Sequence, residues 1–347
     1  MTATIQNTKF NQTLECVRII AAVFVVCIHI TFPGITGGLV TCLGRFAVPF
    51  FFAVAGYFSF GADRQQLVRR LKHILKLNLL AIAIVFAGNS ILWIMWGSSP
   101  LEAMFHVLPT LSDLGDWFFL HINPFAGHLW YLTAMVVCYG IALIYRDFFG
   151  GEAPDYRTMY LAGFFLFLIR FALTDILTVS EVYILYYLYR DGLFLGFPMF
   201  AMGMFLRQYQ QRIMENYHLS TGKLAGLLIF GILLSLFQWG AFYDSELPLG
   251  AVVQVAAILL LTAQKPNICG SSKLALKIVS RLRSLSTWVY ILHITVYEFY
   301  EYLLQERLST VLGSWEAWLK PITVLGITVV ICLGAQLAGR IIPGKKK

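Results

Sequence analysis

The sequence is poor in charge, and this scarcity decides the class of protein. Only 13% of its 347 residues are Asp, Glu, Lys or Arg, whereas 59% are hydrophobic. A soluble domain carries about a quarter charged residues, so the composition excludes an ordinary soluble globular protein. The chain is predicted to be a polytopic integral membrane protein that lies almost entirely within or beside a lipid bilayer.

Cysteine pairs and a cleavable leader are also lacking. The six cysteines form no Cys-x-x-Cys pair, so neither a disulfide framework nor a metal site is expected. The N-terminus lacks the basic region and small-residue cleavage site of a signal peptide, so the first apolar stretch is expected to stay in the protein. The net charge of +8 does not indicate nucleic-acid binding, because the basic residues lie beside apolar stretches.

The apolar stretches predict about ten transmembrane helices in an all-α fold. Each span needs about 20 mainly apolar residues. Residues 1–347 are expected to form a single transmembrane domain with no fused soluble domain. The predicted spans are 14–35, 44–62, 74–96, 127–145, 158–178, 185–206, 223–243, 248–264, 284–304 and 320–342.

The basic residues orient these spans. With the N-terminus in the cytoplasm, twenty of the 26 basic residues fall in cytoplasmic segments, and the outer loops hold only Arg307 and Lys320. Positive residues favour the cytoplasmic side, so ten spans with both termini inside are predicted. The longest outer loop, 97–126, has no Lys or Arg and several large apolar residues. It is expected to lie on the outer membrane face, either as an interfacial loop or as a lid over a site.

Two ionisable residues share one face of the first span. Arg18 and His29 are eleven residues apart, which at 100° per residue places them within roughly 20° of each other and about 16 Å apart along the axis. Ionisable groups inside a bilayer indicate function by default. Alternatively, Arg18 reaches the headgroups and pairs with Glu15, and His29 bonds to a neighbouring helix. An arginine at the cytoplasmic end suits a phosphorylated donor such as coenzyme A, whose long arm would reach His29.

Further polar residues lie at predicted membrane depth. Arg45 opens the second span, where Pro49 frees a backbone carbonyl one turn earlier and Gly56 allows close helix approach. Arg45 either binds an anionic acceptor, stabilises an oxyanion or anchors the helix at the interface. His128, with Trp130, either lines a site or belongs to an aromatic belt, and His293 either lines a site or is a satisfied buried histidine.

These residues together resemble acyltransferase family 3, whose members include membrane O-acetyltransferases of surface glycans. Arg18 and His29 resemble the family's Arg-x10-His signature, with Glu15 three residues before it. Residues 45–52 resemble its Arg-Phe-x-Val-Pro-x-Phe-Phe segment, and residues 128–132 resemble its His-Leu-Trp-Phe-Leu element. Residues 197–203 and 286–293 resemble late segments of the family. One departure is Ala55-Gly56-Tyr57, where the family commonly has Ser-Gly-Tyr, so any role of that hydroxyl is either absent here or supplied by another residue.

The resemblance implies a membrane-bound acyltransferase that moves an acyl group, expected to be acetyl, from cytoplasmic acyl-CoA to a hydroxyl or amine. The acceptor would be a cell-surface glycan, a lipid-linked sugar or another membrane-associated molecule. His29 would act as general base or acyl relay, Arg18 would hold the CoA phosphates and Arg45 would steady the acceptor or the oxyanion. Weaker candidates for lining the site are Glu15, Tyr57, His128, Trp130 and His293.

The same resemblance implies acyl-CoA as a co-substrate without a permanently bound cofactor or metal, and a multi-pass location in a bacterial cell membrane. The lipid bilayer and the acceptor would be its other partners. A transporter or flippase for a polysaccharide, lipid or amino acid remains the main alternative, although no repeat between the halves supports it. An inactive membrane scaffold is disfavoured by the presence of both Arg18 and His29.

Overall fold

The computed structural model describes residues 11–120, 123–149, 155–176, 190–241, 245–270 and 272–341, and these contain helices and no β-strand. The helices from the N-terminus to the middle are α1 (Gln12–His29), α2 (Gly34–Gly44), α3 (Ala47–Ser59), α4 (Arg64–Met95), α5 (Pro100–Val107), α6 (Leu111–Leu120), α7 (Trp130–Phe149) and α8 (Arg157–Phe171). The remaining helices are α9 (Phe197–Asn216), α10 (Thr221–Ala241), α11 (Leu249–Gln264), α12 (Lys273–Tyr300), α13 (Glu306–Leu312) and α14 (Trp315–Ile341).

Seven helical segments of the described chain are long and apolar enough to cross a membrane. They are Gln12–His29, Gly34–Ser59, Arg64–Met95, Gly127–Phe149, Arg157–Thr174, Thr221–Ala241 and Trp315–Leu337. The other three predicted spans coincide with α9, α11 and α12, which do not meet both criteria, so the count of ten stays a prediction. The predicted span ends at 177–178, 185–189, 242–243 and 342 lie outside the described residues.

The second span begins ten residues earlier than predicted. Its helical segment runs from Gly34 to Ser59 and turns at Arg45 and Phe46, between α2 and α3. Pro49 has no N–H to bond the Arg45 carbonyl four residues back, so the ladder breaks there. It resumes when the Phe50 N–H donates to the Phe46 carbonyl at 2.9 Å. Arg45 therefore lies at a bend within the segment and not at its start.

Helix α4 is longer than the predicted span 74–96. It has 32 residues and begins at Arg64, capped by the Asp63 side chain, which accepts from the Gln66 N–H. At 1.5 Å per residue it is about 48 Å long, whereas the hydrocarbon core is about 30 Å thick. Its basic first turns therefore project beyond the apolar layer as helix, where the sequence had indicated a loop.

Close backbone contacts hold α3 against α9. A Cβ added at Gly56 would lie 1.8 Å from the Phe200 carbonyl oxygen, and one at Gly203 would lie 1.9 Å from the Ala53 carbonyl oxygen. The close approach expected at Gly56 is thus present. Without a hydrophobic effect between helices in lipid, small residues are what allow such contact. Phe50 and Phe200 are fully buried in the surrounding core, which makes this pair of helices the rigid base of the bundle.

Two short amphipathic helices, α5 and α6, occupy the predicted long loop. Ser99 and Glu102 form a capping box at α5, and Thr110 and Asp113 make equivalent bonds at α6. These hydrogen bonds lower the pKa of both carboxyls below their usual values. Large apolar side chains of both helices are exposed, Phe118 by 78% among them, as expected of a segment that lies along a membrane surface.

Candidate active site

Three histidines far apart in the sequence meet in the fold. His29 ends α1, His128 lies in the short 3₁₀ turn before α7, and His293 lies in α12. The ring centroids are 5.2 Å apart for His29 and His293, 6.2 Å for His29 and His128, and 5.1 Å for His128 and His293. We call these three residues the histidine cluster. The sequence analysis offers His128 and His293 as candidates for lining the site of His29, and the contact between the three rings is seen only in the structure.

Backbone carbonyls of α12 hold two of the rings. His128 Nε2 is 3.3 Å from the Ile291 carbonyl oxygen, and His293 Nδ1 is 2.8 Å from that of Tyr290. The Tyr290 hydroxyl donates in turn to the His128 carbonyl at 2.5 Å. His128 and His293 are almost fully buried, whereas His29 is partly exposed. His29 is therefore the member of the cluster that an incoming molecule can reach.

His29 opens into a cavity of about 480 Å³, which we call the His29 cavity. Glycines of α2 form much of one wall, so the backbone itself is accessible there. Two threonine hydroxyls and two guanidinium groups add polar contacts. Its lining residues are Ile28, His29, Thr31, Phe32, Gly34, Gly37, Gly38, Thr41, Arg45 and Arg190. The His29 imidazole has no hydrogen-bond partner among the residues that the structure describes, and a polar wall beside such a ring suits a substrate that carries hydroxyl groups.

The two cavity arginines share one carboxylate. Arg45 Nη1 is 2.6 Å from Glu246 Oε2, and Arg190 Nη2 is 2.5 Å from Glu246 Oε1. The neighbouring Asp191 side chain accepts from the Phe194 and Leu195 N–H groups and caps the following turn. Glu246 was missed, because its position just before α11 resembles an ordinary loop. This carboxylate holds both guanidinium groups at the cavity wall.

Arg18 lies in the N-terminal half of α1, eleven residues before His29. It donates to Glu15 at 3.1 Å and stacks over the Phe58 ring at 5.7 Å. Glu15 is buried and also lies 3.5 Å from Arg283. The pairing of Arg18 with Glu15 that the sequence left open is therefore present, and Arg18 is separated along the helix from His29, which ends it.

A second cavity lies at the Arg18 end. It has a volume of about 460 Å³ and is lined by Gln66, Arg69, Arg70, His73, Ile74 and Tyr139. We call it the arginine cavity. Arg70 donates to the Phe58 carbonyl at 2.8 Å and to Ser59 at 2.9 Å, so the cavity adjoins the aromatic ring on which Arg18 stacks. The basic residues between positions 64 and 76 are the sequence signal for this cavity, but in the sequence alone they indicate only the orientation of the spans.

Three weaker candidates lie elsewhere. The Tyr57 hydroxyl donates to Gln210 at 2.6 Å, near Arg207, and lines neither cavity. Trp130 is 9% exposed and packs on Phe52, with ring centroids 6.1 Å apart. Glu15 pairs with Arg18 and Arg283. Of the candidates, the fold thus brings together His29, His128 and His293, with Arg45 in the same cavity as His29.

The described residues include no group of three or more His, Cys, Asp or Glu side chains arranged to hold a metal ion. The rings of the histidine cluster are close, but two of them turn a nitrogen to a backbone carbonyl. The chemistry available here is proton transfer and hydrogen bonding by imidazole.

Comparison with known proteins completes this description. No curated protein matches the chain significantly. The family model described as an acyltransferase domain matches residues 11–337, nearly the whole chain, including both cavities and the histidine cluster. The apolar helices are those of a multi-pass membrane protein. The chain therefore belongs to acyltransferase family 3.

Proposed function

We propose that the protein transfers an acyl group, acetyl in the first instance, from acyl-CoA to a hydroxyl of a surface glycan or lipid-linked sugar. The observation that carries this proposal is the presence of two separate cavities, one lined by arginines and adjoining the Phe58 residue on which Arg18 stacks, the other opening on His29. Such an arrangement separates the charged part of a donor from the acceptor. The family match supports acyl transfer in general.

The donor would bind from the cytoplasm at the arginine cavity. Arg69 and Arg70 supply guanidinium groups, which pair well with phosphate oxygens, and Arg18 lies on the other side of Phe58. The pantetheine arm would then run along α1 towards His29, which is about 16 Å from Arg18 by helical rise. The proposal includes ten membrane spans, both termini in the cytoplasm and a location in a bacterial cell membrane.

The acceptor would occupy the His29 cavity. Neutral His29 takes the hydroxyl proton while the acceptor oxygen forms a bond to the thioester carbonyl carbon. The tetrahedral intermediate then collapses, the carbon–sulfur bond breaks, and the proton passes from His29 to the departing sulfur. The products are an O-acyl ester and free CoA, so atoms and charge balance without a further reactant.

Arg45 would form the polar wall that the acceptor or the developing oxyanion faces. Its guanidinium is held by Glu246 at the bend that Pro49 creates. A hydrogen-bond donor that is already held in place before the reaction needs little reorganisation when negative charge develops on the oxygen. Arg190 shares that carboxylate and would steady the same region of the acceptor.

A transporter is the second candidate, because two separate cavities in a helical bundle would also suit alternating access to one substrate. Release of CoA distinguishes the two functions. A transporter moves its substrate without cleaving a thioester, whereas an acyltransferase liberates one free thiol for each acyl group transferred.

The test uses membranes with the wild type, His29→Ala, Arg45→Ala or the control His106→Ala at matched levels. His106 stacks on Trp93 in α4 and lines neither cavity. Radiolabelled acetyl-CoA is added, label is followed into lipid and glycan fractions, and free thiol is measured. Transfer by the wild type and His106→Ala that is lost in His29→Ala supports the proposal. Equal label and thiol release with and without the protein, in the presence of candidate acceptors, would refute it and favour transport.

A further inference from the structure

The proposed reaction gives no role to Nε2, one of the two ring nitrogens of His293. Its Nδ1 lies 3.1 Å from the Val289 carbonyl oxygen and 2.8 Å from that of Tyr290. A carbonyl oxygen only accepts, so Nδ1 must carry the hydrogen. In the neutral ring, Nε2 is then an acceptor. That atom is fully buried and has no hydrogen-bond partner among the described residues.

The direction in which the Nε2 lone pair of His293 points follows from how the ring sits on α12. Nδ1 faces the backbone of its own helix, α12, so Nε2, on the far edge of the ring, points away from that backbone. Helix α1 packs along α12, and the ring of His29 lies with its centroid 5.2 Å from that of His293, at an interplanar angle of 46°. The His128 ring is 5.1 Å from that of His293, but its Nε2 faces the Ile291 carbonyl oxygen. A buried acceptor without a partner is costly, which favours an N–H donor at this place.

His128 repeats the pattern with the nitrogens exchanged. Its Nε2 faces the Ile291 carbonyl oxygen and therefore carries the hydrogen, and its buried Nδ1 has no partner among the described residues. Its ring is farther from His29, at 6.2 Å. The cluster thus contains two neutral imidazoles fixed as acceptors by backbone carbonyls.

A carboxylate is the usual group that orients a catalytic histidine. Within the described ranges no Asp or Glu side chain hydrogen-bonds to His29, His128 or His293. The nearby charged groups at the cavity are the arginines, with Glu246 already engaged by both of them. The unpaired nitrogens of His293 and His128 are therefore the buried acceptors close to His29 that have no other partner among the described residues.

We propose that His293 is the positioning residue of His29: its Nε2 accepts the N–H of one His29 nitrogen and leaves the other nitrogen as the base that faces the cavity. The two rings are not hydrogen-bonded in this structure, and the bond forms when the partly exposed His29 ring turns towards His293. When His29 takes the acceptor's proton, both of its nitrogens carry hydrogen, and His293 keeps the one that points inward. This inference rests on acyl transfer through His29.

The first experiment does not depend on activity. Long-range ¹H–¹⁵N spectra of protein labelled with [¹⁵N]histidine in detergent distinguish Nδ1–H from Nε2–H tautomers, with His293→Gln and His29→Gln variants to assign the signals. The expected result is Nδ1–H for His293, with a His293 Nε2 signal shifted by hydrogen bonding that moves in His29→Gln. An Nε2–H tautomer for His293, or a spectrum of His293 unchanged in His29→Gln, would overturn the proposal even if the enzyme is active.

The second experiment compares His293→Leu, which removes the acceptor, with His293→Gln, which keeps an oxygen near the Nε2 position. We expect His293→Leu to lower kcat about 100-fold, in the range for general-base catalysis, with KM for acetyl-CoA within about twofold of the wild type. His293→Gln should recover a large part of kcat. Val296→Ala, a buried change on the same helix, controls for packing and should leave kcat within about threefold.

The outcomes separate this proposal from the proposed function. Equal loss of kcat in His293→Leu and His293→Gln shows that the ring matters only for packing and refutes the positioning role. Full activity of His293→Leu refutes it as well. If the wild type transfers no acyl group with any acceptor, acyl transfer fails, whereas the spectra still decide whether His293 accepts from His29.

Discussion

The packing of α3 on α9 allows a prediction with a magnitude drawn from the structure. Gly56→Ala would place a Cβ 1.8 Å from the Phe200 carbonyl oxygen, although such contacts are essentially never shorter than 3.0 Å. The helices must therefore separate by about 1.2 Å, since the obstacle is backbone and cannot rotate away. Gly203→Ala makes the reciprocal clash with Ala53 and should have the same effect.

We expect each substitution to cost about 3 kcal/mol or more, the upper end of the range for overpacked cores, because separation also loosens the buried phenylalanines between the helices. For a chain of this size that corresponds to a fall in Tm of about 5 °C or more. Activity should fall as well, because α3 begins directly after the bend that carries Arg45. The assay is thermal unfolding of purified protein in detergent, followed by circular dichroism, with acyl transfer measured in parallel.

The matched control is Gly226→Ala in α10, where a Cβ meets nothing within 4 Å. There the added methyl should leave Tm unchanged or raise it slightly, because Ala is favoured over Gly in a helix by up to about 1 kcal/mol. If Gly56→Ala and Gly226→Ala shift Tm equally, the close approach of α3 and α9 is not a source of stability and the reasoning is refuted.

Three further predictions follow from other contacts. Glu246→Gln should lower Tm and raise KM for the acceptor at least tenfold, because it leaves two guanidinium groups without the carboxylate they share; adding Arg190→Gln should recover part of both losses. Arg70→Gln should raise KM for acyl-CoA with little change in kcat, measured by thiol release, because it removes a phosphate contact and not a reacting group. Below about pH 4 the caps of α5 and α6 should fail, because lowered carboxyl pKa values give stability that is present above the unfolded pKa and lost as pH falls through the folded one. Hydrogen exchange over residues 100–118, corrected for intrinsic rates, should then rise, as it should in Glu102→Ala at pH 7, which removes the side chain that caps α5.

Each of these has a result that contradicts it. An unchanged acceptor KM in Glu246→Gln would show that the arginines need no shared carboxylate to shape the cavity. A kcat defect without a KM change in Arg70→Gln would place this residue outside donor binding. Protection of residues 100–118 that is independent of pH would show that packing against the bundle, and not capping, holds the two helices.

Much of the local structure could be predicted from the sequence. Apolar stretches of about 20 residues predicted an all-helical fold, since backbone groups in lipid must be satisfied within the helix, and seven helical segments of the described chain are long and apolar enough to span a membrane. Pro49 predicted the break at Arg45, and Gly56 predicted close packing, because each of these effects depends on one residue alone. The early boundary of the second span was missed, since Gly34 to Gly44 reads as a loop when its glycines are judged by helix propensity alone.

The partners of the site residues could not be predicted in this way. Glu246 looked like a loop residue until the fold placed it between Arg45 and Arg190. Arg69 and Arg70 looked like orientation signals until they were seen to line a cavity. Trp130, which shares a motif with His128, packs into the core because neighbouring helical positions face different directions.

By itself, then, the sequence determined that this is a helical membrane protein, where its helices bend or pack closely, and which family it resembles. Those properties depend on hydrophobicity and on single residues, which act over a few positions along the chain. Only the tertiary structure decided that His29, His128 and His293 form one cluster and that α12 carbonyls fix two of them as acceptors. Such contacts depend on how whole helices pack against each other, and the physical interactions that set this packing join residues that are far apart in the sequence.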